Sequence, residues 1–158
     1  MTDLRVRRAT PADVESLVYL RGLMLAAMGA EVGGEEAPWR KQARVWFADQ
    51  LERPGSFAAY VVEDATAGVV ANAAGTVFEH PPGPKDPSTL RGNLFNVSTE
   101  PAFRRRGLAR QCVVALLDWF RDETAVGVVE LHATDDGVAL YESLGFVTSR
   151  YPALRLTF

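Results

Sequence analysis

Residues 90–110 read LRGNLFNVSTEPAFRRRGLAR, and the overall arrangement of the chain follows from this segment. Its first half, residues 90–99, has the composition of a long strand, and its second half leads into an amphipathic helix. The apolar positions of that helix fall on one face; they are Leu108, Cys112, Ala115, Leu116, Trp119 and Phe120. A strand therefore gives way to a helix at an arginine-rich turn.

This turn combines four arginines, Arg104, Arg105, Arg106 and Arg110, with Gly107. The first turn of a helix has unpaired N–H groups and the positive end of the helix dipole, so anions bind there. Cations at that end cost about 0.3–1 kcal/mol unless an anion offsets them. We therefore interpret the turn as a diphosphate site, with a solvated arginine run as the alternative. The P-loop and dinucleotide-binding glycine motifs do not occur.

The order of predicted elements indicates an α/β domain with a mixed, mostly antiparallel sheet and helices on both faces. Helices are predicted after a capping box at Thr10, over residues 39–51, after Gly107 and over residues 136–143. Besides residues 90–99, strands are predicted at 4–7, 57–63, 69–78, 126–131, 146–150 and 154–158. The sheet is therefore expected to have six to seven strands.

Composition restricts the function classes. The 158 residues carry 17 Lys+Arg and 20 Asp+Glu, and apolar residues make up 47%. We expect one domain over residues 1–158, and no apolar run reaches the roughly 20 residues of a membrane span. The N-terminus lacks the pattern of a signal peptide, so a cytoplasmic location is expected. The acidic balance argues against nucleic-acid binding, and the single cysteine, Cys112, excludes a cysteine-based metal site; no metal is expected.

Two motifs carry a family resemblance. Arg104-x-x-Gly107-x-Ala109 follows the strand, and residues 139–146 read ALYESLGF. Together they resemble the signature of the GNAT superfamily of N-acetyltransferases. The resemblance implies acetyl-CoA as co-substrate and a primary amine as acceptor, which attacks directly in a ternary complex. A non-catalytic acyl-CoA-binding sensor or scaffold on the same fold is the alternative.

The resemblance also implies the cofactor contacts. The strand would carry a bulge, diverge from its parallel neighbour at 126–131 and pair its backbone with the pantetheine arm. Thr134 stands where many relatives carry Asn; it can cap the following helix and contact the arm. The implied cofactor-binding residues are Val97, Ser98, Thr99, Arg104, Arg105, Arg106, Gly107, Leu108, Ala109, Arg110 and Thr134.

The resemblance implies that Tyr141 faces the cofactor sulfur and protonates the leaving thiolate, because a phenol stays protonated at neutral pH. A backbone N–H near residues 97–99 would stabilise the carbonyl oxygen. Residues 94–99 offer no carboxylate base, so His132 is the best local candidate. Glu79, His80 and a water chain are alternatives. Cys112 lies on the buried helix face and is not expected to act as a nucleophile.

The acceptor site is expected near the loop between the first two helices, as in the family. The candidate substrate-binding residues are Glu31 and Glu35, beside Glu36, and Trp39. Three carboxylates could attract a polycationic amine, whereas a solvated acidic loop and a core tryptophan are the alternatives. The identity of the acceptor stays open, and so does a homodimer.

Overall fold

A computed structural model describes residues 3–158, in which a mixed sheet lies between helices on both faces. The predicted domain, residues 1–158, includes Met1 and Thr2, which lie outside the described residues. The strands are β1 (Leu4–Arg8), β2 (Phe57–Asp64), β3 (Gly68–Glu79), β4 (Leu90–Thr99) and β5 (Val129–Glu130). The helices are α1 (Val14–Ala27), α2 (Pro38–Leu51), α3 (Leu108–Glu123) and α4 (Val138–Ser143).

The strands lie in the sheet in chain order, β1-β2-β3-β4-β5. The first four pair antiparallel, and β5 joins β4 in parallel through the α3 crossover. This topology confirms the α/β class, the mostly antiparallel sheet and the one parallel pair.

Two apolar layers cover the sheet. Strand β2 contributes to both, because successive side chains of a strand point to opposite faces. Ala58 and Val62 pack beneath α3, whereas Ala59 and Val61 pack beneath α1 and α2. The sheet therefore separates an α3 face from an α1/α2 face.

The predicted capping box precedes α1. Thr10 Oγ1 accepts a hydrogen bond from the Ala12 N–H (3.3 Å), and the Thr10 N–H donates to Asp13 Oδ2 (2.7 Å). Residues Pro11–Asp13 form a short 3-10 turn that leads into the helix. Arg7 binds the same carboxylate at 2.8 Å, so the cap also ties α1 to β1.

Helix α3 lies very close to the sheet because two strand residues beneath it have no side chain. A Cβ on Gly75 or on Gly92 would come within 2.6 Å of the Phe120 ring. These glycines leave the space that the ring fills, and Phe120 is buried.

The expected six to seven strands are wrong, since the sheet of the described residues has five. The strand predicted at 126–131 shortens to β5, and residues 146–150 and 154–158 join no sheet. Their apolar pattern favours a strand, but a strand also needs a neighbouring strand to pair with, and neither segment has one among the described residues. Phe146 packs against the core, but most other apolar side chains of residues 146–158 are exposed; they include Val147, Leu154, Leu156 and Phe158. Within residues 3–158, no helix has the length and apolar composition needed to cross a membrane.

Candidate active site

Strand β4 carries a bulge, as the family resemblance implies, and the bulge lies at Asn96. Asn72 pairs with Ser98 and Ala74 pairs with Phe95, so β4 holds one more residue than β3 between these pairs. Asn96 has φ 58, in the left-handed region that asparagine tolerates better than most residues. The extra residue breaks the hydrogen-bond ladder in the middle of the sheet.

The pairing of β4 with β5 is short. The two strands pair only at Gly92–Val129 and Asn93–Glu130. Among the described residues, no strand pairs with residues 94–99 on the side of β4 that faces β5. Their backbone edge is therefore open to an extended, amide-containing chain.

The turn after β4 opens the N-terminus of α3. Arg105 and Gly107 have φ 64 and φ 74, and Gly107 offers no side chain to cap the helix. The first hydrogen bond of the helix runs from the Gln111 N–H to the Gly107 carbonyl (3.1 Å). The N–H groups of residues 108–110 come before it and have no partner within the helix. A Cβ on Gly107 would meet no atom within 4 Å. The residue that precedes α3 therefore has free space on the side where a side chain would project.

The arginines of this turn are exposed and have no carboxylate partner. None of the four forms an ion pair with a residue in 3–158, although other arginines do. Arg104 Nε donates to the Thr99 carbonyl (3.2 Å), which joins the turn to the end of β4. The Arg106 guanidinium lies 5.1 Å from the centre of the Phe103 ring. Asp64 lies close enough to Arg106 for the positive charge to lower the pKa of its carboxyl, but no carboxylate forms an ion pair with the four arginines, so the turn is suited to an external anion.

Tyr141 projects from α4 into the α3-face core, where it is 9% exposed. Its ring packs edge-on against Phe146 at 5.8 Å. Its hydroxyl makes no hydrogen bond with residues 3–158, and burial raises the pKa of the phenol. Val97, next to the bulge, packs against the same core. The structure therefore brings Tyr141 and the bulged part of β4 to one apolar cluster.

The other polar candidates lie at the surface. His132 is exposed beyond the end of β5, where it lines a cavity of about 450 Å³ with residues 153–156. His80 Nδ1 lies 2.8 Å from the Pro81 carbonyl, and Glu79 is exposed at the end of β3. None of these positions identifies a general base.

Thr134 contributes to α4 in another way than expected. Its carbonyl, rather than its hydroxyl, accepts the N–H groups of Gly137 (2.9 Å) and Val138 (3.2 Å). The N-cap residue is Gly137, which has no side-chain cap. The Thr134 side chain is thus not used as the cap, and its contact with a cofactor stays a prediction.

Cys112 is fully buried within α3, and burial raises the pKa of its thiol to about 12. A thiol that stays protonated is a poor nucleophile. This agrees with the prediction that Cys112 packs in the core.

A cavity of about 830 Å³ opens on the α1/α2 face, beside the bulge. Trp46 and Phe95 form apolar walls, while Thr76 and Asn93 add polar groups from the sheet. The predicted acceptor residues lie elsewhere. Glu31 and Glu35 are exposed on the loop before α2, and the Trp39 indole N–H donates to the Val32 carbonyl (2.8 Å).

A polar chain beneath this cavity was not predicted from the sequence. Arg21 Nη1 donates to Asn96 Oδ1 (3.2 Å), and Asn96 Nδ2 donates to Asn72 Oδ1 (2.8 Å). A signal was present: Arg21 follows Leu17 and Val18 at helical spacing, on the face that the apolar residues of α1 define. Asn72 likewise interrupts the run of apolar residues at positions 69–74 of β3.

Solved structures of other proteins share this fold. A GCN5-related N-acetyltransferase from Ralstonia eutropha JMP134 has a similar fold, with TM-score 0.80 and 24% identity over 97% of this chain and 98% of that one. An acetyltransferase from Clostridium acetobutylicum, solved with acetyl-CoA, has TM-score 0.82 and 23% identity over 96% of each chain.

A curated relative matches a shorter part of the sequence. The alanine N-acetyltransferase of ribosomal protein bS18 from Salmonella typhimurium LT2 is 42% identical over 55 residues. The match spans 34% of this chain and 37% of that relative, little more than a third of its length. A model of the acetyltransferase (GNAT) family matches residues 24–146, most of the sequence. The chain therefore belongs to the acetyltransferase (GNAT) family.

Proposed function

We propose that this protein transfers an acetyl group from acetyl-CoA to a primary amine, which attacks directly in a ternary complex. The observation that carries the proposal is the open edge of β4 between Asn93 and Thr99, followed by the uncapped start of α3. The family membership and the relative solved with acetyl-CoA support the choice of co-substrate.

The residues present fit coenzyme A. Residues 97–99 offer backbone groups for the amides of the pantetheine arm. The amides of Gly107, Leu108 and Ala109 and the unpaired arginines offer N–H groups and positive charge for the phosphates. The space in front of Gly107 is open, since even a Cβ there would meet no atom within 4 Å. When bound, acetyl-CoA supplies the acetyl group as an activated thioester.

Tyr141 is the proposed proton donor to the departing sulfur. Its hydroxyl has no partner within residues 3–158, and its pKa lies above the ordinary value of 10.0 because the ring is buried. The phenol is therefore protonated at neutral pH and can donate. A backbone N–H beside the bulge is the proposed donor to the thioester carbonyl oxygen. Water is the proposed acceptor of the amine proton, since no carboxylate lies on residues 94–99.

The direct test measures thiol release from acetyl-CoA against a panel of amines. We expect amine-dependent turnover in the natural protein. Tyr141→Phe should lower kcat by about 100-fold or more, within the range of general acid catalysis, while the acetyl-CoA Kd changes little. Tyr60→Phe is the matched control, because Tyr60 is another partly buried tyrosine of the α3 face with a pKa raised by burial.

The two functions on this fold give different results. Tight acetyl-CoA binding without turnover on any amine would favour the non-catalytic sensor or scaffold. Turnover that is unchanged in Tyr141→Phe would remove that residue from the acid role. Absence of acetyl-CoA binding would contradict the proposed function altogether.

A further inference from the structure

The 830 Å³ cavity on the α1/α2 face holds one cation without a counter-charge, Arg21. Within residues 3–158, Arg21 forms no ion pair, and its side chain donates a hydrogen bond to the neutral Asn96 side chain (3.2 Å). The carboxylate in the cavity wall, Asp49, is already paired with Arg53 at 2.9 Å. The cavity therefore carries local positive charge, although the whole protein has a net charge of −3.

The guanidinium of Arg21 is partly removed from water at this position. Burial lowers its pKa, while the group stays charged at neutral pH, as arginine does in proteins. Burying a charge is unfavourable unless an opposite charge or hydrogen bonds compensate. One hydrogen bond to a neutral amide leaves most of the guanidinium donors available to a ligand.

Apart from Arg21 and the ion-paired Asp49, the cavity lining is uncharged, and much of it is apolar. Trp46 packs edge-on against Phe47, Phe57 and Phe95 with ring centres 5.2–5.8 Å apart, so its indole forms a fixed wall. The volume is within the range of small-molecule sites. A ligand with an apolar body and one compact anionic group would match both the walls and the charge.

We propose that this cavity binds the acceptor, and that Arg21 recognises an oxyanion, a carboxylate or a phosphate, carried by the same molecule as the amine. The inference rests on the proposed function and specifies its substrate class. Arg21 lies against Asn96, at the bulge where transfer is proposed. The anionic group and the amine are therefore close together in the acceptor, as in an α-amino acid or in phosphoethanolamine.

The test compares two pairs of probes by calorimetry, so that binding is measured without turnover. Phenylalanine is compared with phenylalaninamide for the carboxylate, and phosphoethanolamine with ethanolamine for the phosphate. We expect the natural protein to bind at least one charged probe about 10-fold or more tightly than its neutral partner, as a charge-assisted pair allows. The pair that shows the preference identifies the oxyanion.

Arg21→Gln should remove this preference, while the glutamine still offers an N–H to Asn96. Arg21→Lys should retain part of the preference, because lysine keeps the positive charge but cannot donate two parallel hydrogen bonds to one oxyanion. Arg44→Gln is the matched control, since Arg44 is ion-paired with Glu15 (2.9 Å) and should keep the preference. An unchanged thermal midpoint and acetyl-CoA Kd check that each variant folds.

Equal affinity for charged and neutral probes, no binding of either charged probe, or a preference that survives in Arg21→Gln would overturn this inference. The proposed function fails separately. A preference for charged probes without acetyl transfer would support the anion site and contradict the proposed function. Acetyl transfer to neutral amines that is unchanged in Arg21→Gln would support the proposed function and contradict the anion site.

Discussion

Substitution of Gly107 by alanine should weaken acetyl-CoA binding more than it weakens the fold. Gly107 has φ 74, where a residue with a Cβ is strained by about 1–2 kcal/mol. No atom within 4 Å would collide with the new methyl group, so strain is the main cost to stability. For a chain of this size, that cost corresponds to a fall of roughly 2–8 °C in Tm.

The loss of affinity has a different origin. The methyl group adds bulk at the start of α3, where the diphosphate is proposed to bind. Losing one hydrogen bond to a charged group costs about 1.5–3 kcal/mol, so the acetyl-CoA Kd should rise by about 10- to 150-fold. Gly107→Glu adds negative charge at the same point and should abolish measurable binding.

Gly29→Ala separates the two effects. Gly29 has φ 88 and also has no atom within 4 Å of a Cβ, but it follows α1 on the other face of the sheet. Both alanine variants should lose similar stability in thermal unfolding, and only Gly107→Ala should lose affinity in calorimetry. If the two variants bind acetyl-CoA equally well, the diphosphate does not lie on this turn.

Three further predictions concern the proposed general acid, Tyr141, and the core beneath α3. Because the pKa of Tyr141 lies above 10.0, the profile of kcat/KM should show no descending limb from this group as the pH rises toward 10; a limb near neutrality would contradict its role as the acid. Gly92→Ala should lower the free energy of unfolding by about 1–3 kcal/mol in urea, because its Cβ would lie 2.6 Å from the Phe120 ring, whereas Gly55→Ala, in open space, should cost less. Cys112 should react with a thiol reagent only after unfolding, since its pKa is about 12 in the folded protein, and rapid labelling of the native protein would refute its burial.

The features set by local chemistry could be predicted from the sequence. The Thr10 capping box, the strand that ends at Thr99 and the helix after Gly107 depend on neighbouring residues, and they occur as expected. The bulge in β4 was implied by the family resemblance and is present, and the pairing of β4 with β5 is limited to two residue pairs.

Features that depend on distant partners could not be predicted. The alternating segment 154–158 looks like a strand, but nothing in its own sequence determines whether a sheet edge is available to it. Arg21 is charged and so does not enter the apolar pattern of α1, although its spacing places it on that face. Its hydrogen bond to Asn96 spans 75 positions, which no local pattern indicates.

The bulge at Asn96 changes whether the odd-numbered or the even-numbered side chains of β4 point toward α1 and α2. Before it, Asn93 and Phe95 point toward α1 and α2, opposite Thr76 and Ala74; after it, the even-numbered Asn96 and Ser98 take that direction. Because the bulge adds one residue to β4, deleting Asn96 would restore plain alternation, with Val97 still toward α3 and Ser98 still toward α1 and α2. Loss of the bulge would therefore leave both apolar layers in register, and its main effect would fall on the unpaired backbone edge where the two reactants are proposed to meet.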